Sequence, residues 1–312
     1  MRTAESFEMY RSHNRYISPS DIKGCRTPKE FICRLNSPKK HTEAFDIGTA
    51  FHSAVLEPEK FKSEVVCLKN SMFPNPNKVN QDGSVSMMDT NNREYNKNFR
   101  EMNSGKLILN EAQYNSIISM REAVMQFPEA KGLLDLNNAY VENCFYARVI
   151  FDRSGKFDRI EACGNDELPG KFDVLIKTRP DYVHKNRFYD LDLKSTQSVD
   201  PEVFAKDAAE YEYDIQAAMG LDIITCNLGE AYETFLFLAV EKQSPYNVLL
   251  FDLNNQDIMD AKLVYLRRLN AIREARNDGN FKGYEIYAEN DFNMVTLSMP
   301  KWYKDKQQYA KF

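Results

Sequence analysis

The chain has 312 residues, 43% of them apolar and 28% charged, with a formal net charge of −5. That length allows one large domain or two modest ones with a sizeable core. The charge excludes a non-specific nucleic-acid coat protein, while an enzyme that grips phosphate through a local basic patch stays open. No apolar run approaches the roughly 18–20 residues of a membrane span, and the opening MRTAESFEMYRSHNRY lacks a signal-peptide core. Six scattered cysteines without a C-x-x-C pair suit reduced thiols in a cytoplasm, so an intracellular protein is expected.

In chain order, residues 1–16 read as a polar arm. Ser18–Pro19–Ser20–Asp21 and Thr27–Pro28–Lys29–Glu30 are helix starts, the second a capping box, and predict helices over 19–25 and 28–36. Asp46 to Leu56 has helical spacing, and Pro58 ends or restarts it. His52 sits on that helix one turn after small residues; it is either structural or a ligand. Residues 68–92, rich in Asn, Pro, Ser and Gly, predict a loop that is a connector or a flap near substrate. Helices follow at 92–103, 110–127 and 128–135. Ala139 to Phe151 is strand-like, with Glu142 as its one acid, either a site acid or a solvated edge residue. Residues 155–170 read as an insertion or ribbon, and Phe172 to Ile176 as a strand.

The next stretch, Thr178 to Thr196, carries the chemistry. Two β-like runs, Pro180 to His184 and Phe188 to Lys194, flank a polar turn. In the second, Asp190, Asp192 and Lys194 fall on one side and Leu191 and Leu193 on the other. A hairpin would bring Asp181 toward Asp192. Two convergent carboxylates repel unless a cation lies between them, and Mg²⁺ suits such a pair. Lys194 could then stabilise charge developing on a phosphate. The bland alternative is a surface strand of mixed charge. An antiparallel meander carrying Glu142, Asp181, Asp192 and Lys194 is expected.

Asp200–Pro201–Glu202 opens a helix to about Glu210, and Asp214 to Cys226 a second, with Gln216 in its first turn, where it could face a phosphate. Glu233 to Glu241 and Asn247 to Asp252 are strands, and 255–277 a long amphipathic helix. The tail, with Lys301, Trp302, Tyr303, Lys304, Lys306 and Tyr309, could stack on bases, pack on a subunit or form an ordinary terminus.

The pattern Pro180–Asp181, then Asp192–Leu193–Lys194, resembles the PD-(D/E)xK nuclease core. Over roughly residues 15–275 the chain resembles the RecE-type (exonuclease VIII-like) exonucleases of phage and prophage recombination. The resemblance rests on YISPSDIKGCRTPKEF, on IGTAFHSAVLEPEKF with Gly48, His52 and Glu57–Pro58, on Gly105–Lys106, on Lys177–Thr178–Arg179–Pro180–Asp181 and Asp192–Leu193–Lys194–Ser195–Thr196, and on Tyr213 to Ala218. It implies an α/β fold: a restriction-endonuclease-like core with a central mixed sheet flanked by helices. A helical N-terminal part over 1–136 would contribute His52, with the core over 137–277 and a tail over 278–312. It implies a metal site of His52, Asp181, Asp192 and the Leu193 carbonyl, with Glu142 corresponding only by position. Lys194 would act on the attacking water, and Gln216 would be the Gln of a Gln-x-x-x-Tyr motif. Here the fifth position is Gly220, so the tyrosine is absent or replaced by Tyr211 or Tyr213. It implies Mg²⁺ or Mn²⁺ and 5′→3′ digestion of linear double-stranded DNA in a bacterial host. A single-strand annealing partner and a ring-shaped homo-oligomer, such as a tetramer, would accompany it. Related nucleases hold an iron–sulfur cluster on C-terminal cysteines; with no cysteine after Cys226, none is expected. No phosphate-binding Gly-Lys loop is present to suggest a helicase motor.

Overall fold

The computed structural model describes residues 2–3, 5–38, 42–69, 74–87, 94–288 and 294–309. Its N-terminal part is mostly helical, and the expected arm is partly ordered: β1 (Arg2–Thr3) pairs with Cys144 and Phe145, and α1 (Phe7–Ser12) follows. α2 (Pro19–Ile22) is shorter than expected, ending before Gly24, whose φ of +68° suits glycine. α3 (Pro28–Asn36) has the predicted capping box between Thr27 and Glu30. α4 (Glu43–Leu56) begins earlier than its apolar spacing suggested, because Thr42 caps it, and Pro58 starts α5 (Pro58–Glu64).

β2 (Val65–Leu68) was not foreseen, nor was the hairpin of β3 (Pro74–Val79) and β4 (Val85–Met87), which stands where a loop was expected. Residues 70–73 and 88–93 of that region lie outside the described residues. α6 (Glu94–Met102) precedes β5 (Leu107–Asn110), which pairs in parallel with β2. α7 (Glu111–Gln126) and α8 (Pro128–Leu133) complete this part.

The core holds β6 (Ala139–Val141), β7 (Cys144–Phe151), β8 (Phe157–Ala162), β9 (Asp173–Thr178), β10 (Tyr182–His184) and β11 (Tyr189–Thr196). α9 (Pro201–Glu210), α10 (Tyr213–Leu228), β12 (Thr234–Glu241), β13 (Val248–Asp252) and α11 (Asn255–Asp278) follow. In the tail, α12 (Lys301–Tyr309) leaves Trp302 and Tyr303 exposed.

The expected single meander is instead split over two sheets. The five-stranded sheet has the order β13-β12-β11-β10-β6 and is mixed, since β11 runs parallel to β12. In the other sheet β7 pairs with β1, β8 and β9. β9 and β10 are therefore consecutive lengths of one strand path, not antiparallel neighbours. Opposite them run β7 and β6. Phe145 pairs with Thr178, and Val141 with Tyr182, so the register carries across and Glu142 falls opposite Asp181. The ribbon bends there. Pro180 supplies no ladder donor, and Glu142 adopts a left-handed φ of 53°.

Both faces of the five-stranded sheet are covered. Leu191, Leu193, Leu236 and Leu238 pack with Phe51 and Val55 of α4 and Ile117 and Met120 of α7. On the other face Phe235, Phe237 and Ala239 pack with α10 and with Tyr265 and Leu269 of α11. The Asp190–Asp192–Lys194 row lies on this second face. It does not look out on water: Asp190 is only 3% and Asp192 6% exposed.

Candidate active site

The ribbon bend aims two carboxylates at α4. Asp181 Oδ2 accepts from the Leu193 N–H at 2.8 Å, which ties the bend to β11. The Leu193 carbonyl leaves the strand on that same edge. Glu142 donates its N–H to the Asp181 carbonyl at 3.1 Å. Arg179 holds Glu142 twice, its Nε donating to the main-chain oxygen at 3.0 Å and its Nη1 lying 2.8 Å from Oε2. With Phe51, Ala54 and Val55 buried, His52 emerges from α4 beside them. Its Nδ1 lies 3.3 Å from Asp181 Oδ1 and 4.0 Å from Glu142 Oε1.

The β11 row continues the site toward α10. Asp192 Oδ1 accepts from Gln216 Nε2 at 2.5 Å, and Oδ2 lies 2.6 Å from Lys194 Nζ. Gln216 thus faces Asp192 rather than an open phosphate position. Lys194 sits 4.7 Å from the Tyr213 ring centre. From the N-terminal part, Lys23 Nζ donates to Gln216 Oε1 at 2.9 Å and lies 5.3 Å from the same ring. The Tyr213 ring thus faces both lysines, and Tyr211 stacks on it at 6.0 Å. At Gly220 a Cβ would stand 3.5 Å from Asp190 Oδ2 and 3.8 Å from Thr178 Oγ1, so these two side chains occupy the space toward which a tyrosine there would point. Asp190 Oδ1 has no hydrogen-bond partner among the described residues.

These charges set one another's protonation. Burial alone would lower the His52 pKa, but Asp181, Glu142 and Asp192 outweigh it and raise it to about 9. Burial and Asp181 push Glu142 up to about 7 against Arg179 and His52. Burial would raise Asp181, yet His52 and Lys194 hold it below the usual carboxylate range. Burial raises Asp192 despite Lys194. Lys194 is raised because Asp192 and Asp181 outweigh its own burial.

His52, Glu142 and Asp181 bring one nitrogen and two carboxylate oxygens within 4.8 Å of one another, and this group could hold a metal ion. The donor set fits a divalent cation. Beside the acids, Arg179 supplies one positive charge and the raised His52 pKa favours a second. The structure thus groups Glu142 with His52 and Asp181, and sets Asp192 beside them, engaged by Gln216 and Lys194. Lys23 and Arg179 both lie in the sequence segments singled out above, but their partners, Gln216 and Glu142, emerge only from the fold.

A pH dependence follows. The His52 ion pair contributes stability in full below about 6.5 that is lost as pH rises through about 9. Glu142, also raised, loses its contribution from 4.5 toward about 7. In chelator, the unfolding temperature should therefore fall between pH 6 and pH 9. A divalent cation should restore it most at the alkaline end, and His52→Gln should flatten the upper part of the fall. A flat profile for the unaltered protein would contradict the assigned ion pair.

Residues 168–283 match the family described as a PDDEXK-like domain of unknown function (DUF3799). That stretch contains Asp181, Asp192, Lys194 and Gln216, while Lys23, His52 and Glu142 precede it. No curated protein matches the sequence. Among solved structures, the chain is similar to one described as "Putative exonuclease" from Eubacterium rectale, with a TM-score of 0.54 at 14% identity over 99% of this chain and 98% of that one. That likeness is one of fold. Another, SSO0001, has a TM-score of 0.27 at 10% identity over 73% of this chain and 87% of that one. The mixed α/β fold is the expected one, and match and fold together support the PD-(D/E)xK nuclease superfamily. Among the described residues no helix is long and apolar enough to cross a membrane.

Proposed function

We propose that the protein is a divalent-metal-dependent deoxyribonuclease that digests linear double-stranded DNA from its ends. The observation that carries this reading is the convergence of His52, Glu142, Asp181, Asp192 and Lys194 on one cleft of about 890 Å³. Mg²⁺ or Mn²⁺ held by His52, Glu142 and Asp181, with the Leu193 carbonyl on the adjoining edge, would acidify water and offset phosphate charge. The protein's own groups do the rest. The Leu193 N–H fixes Asp181, Arg179 fixes Glu142, and Lys194 keeps a positive charge where charge would build on phosphorus.

Digestion in the 5′→3′ direction, leaving 3′ single strands for an annealing protein, extends the proposal, as does a ring-shaped homo-oligomer around DNA. Support for this extension comes from the RecE-type sequence resemblance alone; the description "Putative exonuclease" of the Eubacterium rectale protein bears only on digestion from the ends.

The test compares linear with covalently closed duplex DNA, in Mg²⁺ and in EDTA, using end-labelled strands. Metal-dependent loss of linear DNA alone, with the 5′ label released first, is expected. Cutting of closed circles would replace this reading with an endonuclease on the same core. No cleavage of either would leave a DNA-binding or assembly role.

A further inference from the structure

Lys23 is held in a way that packing does not require. One main-chain group on each of three consecutive residues is pinned around it. The Ile22 carbonyl accepts from Arg268 Nη1 at 3.3 Å, the Lys23 carbonyl accepts from Arg34 Nη1, and the Gly24 N–H donates to Glu212 Oε2 at 2.7 Å. Glu212 is itself held by Arg268 through two bonds of 2.6 and 2.8 Å. It has a left-handed φ of 48° and stands at the N-terminus of α10. The clamp therefore fixes Lys23 to the helix that carries Gln216.

The hydrogen-bonding capacity of each group settles the orientation of the amide between them. An ammonium only donates, so the Gln216 atom facing Lys23 is the oxygen. An ionised carboxylate only accepts, so the atom facing Asp192 is the nitrogen. Lys23, Gln216 and Asp192 form a directed chain whose last member meets Lys194. Ordering a lysine side chain costs rotamer entropy, and burial together with the Lys194 ammonium pulls the Lys23 pKa down to about 8. A neutral side chain would fill the same space without these costs.

Resting on the nuclease reading above, we propose that Lys23 is a positioning residue. By donating to Gln216 Oε1 it fixes the Gln216 amide, and so holds the Asp192 carboxylate in the orientation that cleavage uses. It acts through Gln216 and does not contact DNA.

Lys23→Met, which keeps the stem and removes the donor, should lower kcat on linear duplex by about 10-fold or more, with KM within about 3-fold and the unfolding temperature little changed. Lys23→Arg should recover most of the loss. In a Gln216→Ala background Lys23→Met should have no further effect, since residues acting through one another are not additive. A second arm needs no activity: in the metal-free protein, Lys23→Met should shift the Gln216 side-chain amide pair in a nitrogen–proton correlation spectrum. That arm stands even if the protein proves not to be a nuclease. An unmoved Gln216 signal would overturn the proposal, and so would additive losses in the double variant. A KM increase with a salt dependence shallower by about one charge would instead make Lys23 a direct phosphate contact.

Discussion

Lys194→Ala should reduce cleavage of linear duplex DNA by about 10³-fold or more, on the scale of removing a fixed charge-stabilising donor from a water-poor site. The loss should fall on kcat, with DNA binding in Ca²⁺ largely kept. A cost to folding is also expected. The Lys194 side chain is only 21% exposed and lies 2.6 Å from Asp192, whose side chain is 8% exposed. Removing one partner of a buried pair costs about 3–5 kcal/mol at the limit of full burial. Here the bond from Gln216 and proton uptake by Asp192 should reduce that cost. Lys194→Met is the cleaner variant, because it keeps an unbranched stem and removes only the ammonium, together with that group's contact with the Tyr213 ring. Cleavage rates and unfolding temperatures of both variants separate chemistry from folding. If Lys194→Met cleaves within about 10-fold of the unaltered protein, the role assigned to the ammonium is wrong.

Asp181→Asn should also be damaging, by another route. An amide oxygen can still accept from Leu193, so the bend should persist. The charge opposite His52 disappears, however, and with it one of the two carboxylates that converge on the candidate cation position. Turnover should fall by about 10²-fold or more, and the unfolding temperature should no longer rise with added Mn²⁺ or Mg²⁺, since a cation stabilises only the state that binds it. Asp181 is also the leading cause of the raised His52 pKa. The His52 ring should therefore titrate at lower pH in the variant, which proton NMR of the ring can follow. An unchanged His52 titration would show that the pair does not couple as the geometry requires.

Much of this site was legible because its parts are local. Alternation put Asp190, Asp192 and Lys194 on one face of β11, and Leu191 and Leu193 duly lie in the opposite core. Proline-marked starts found α2, α3 and α9. Alternation could not show that the polar row would be covered, because that depends on α10 packing over it. It could not show the division into two sheets either, since nothing in Glu142 announces a left-handed backbone. The parallel pairing of β2 with β5 joins segments some forty residues apart, with β3, β4 and α6 between them. The contact between Lys23 and Gln216 spans 193 residues. Neither has a local cause, so neither leaves a local pattern.

The clamp on Ile22 and Glu212 has a consequence for how the protein is made. Its arginine, Arg268, lies in α11, far downstream of every candidate metal ligand. During synthesis from the N-terminus, His52, Glu142, Asp181 and Asp192 all leave the ribosome before that arginine does. The clamp that holds Lys23 toward Gln216 is complete only once α11 has docked. On the nuclease reading and the Lys23 role proposed above, full activity therefore waits for α11 to be made and docked.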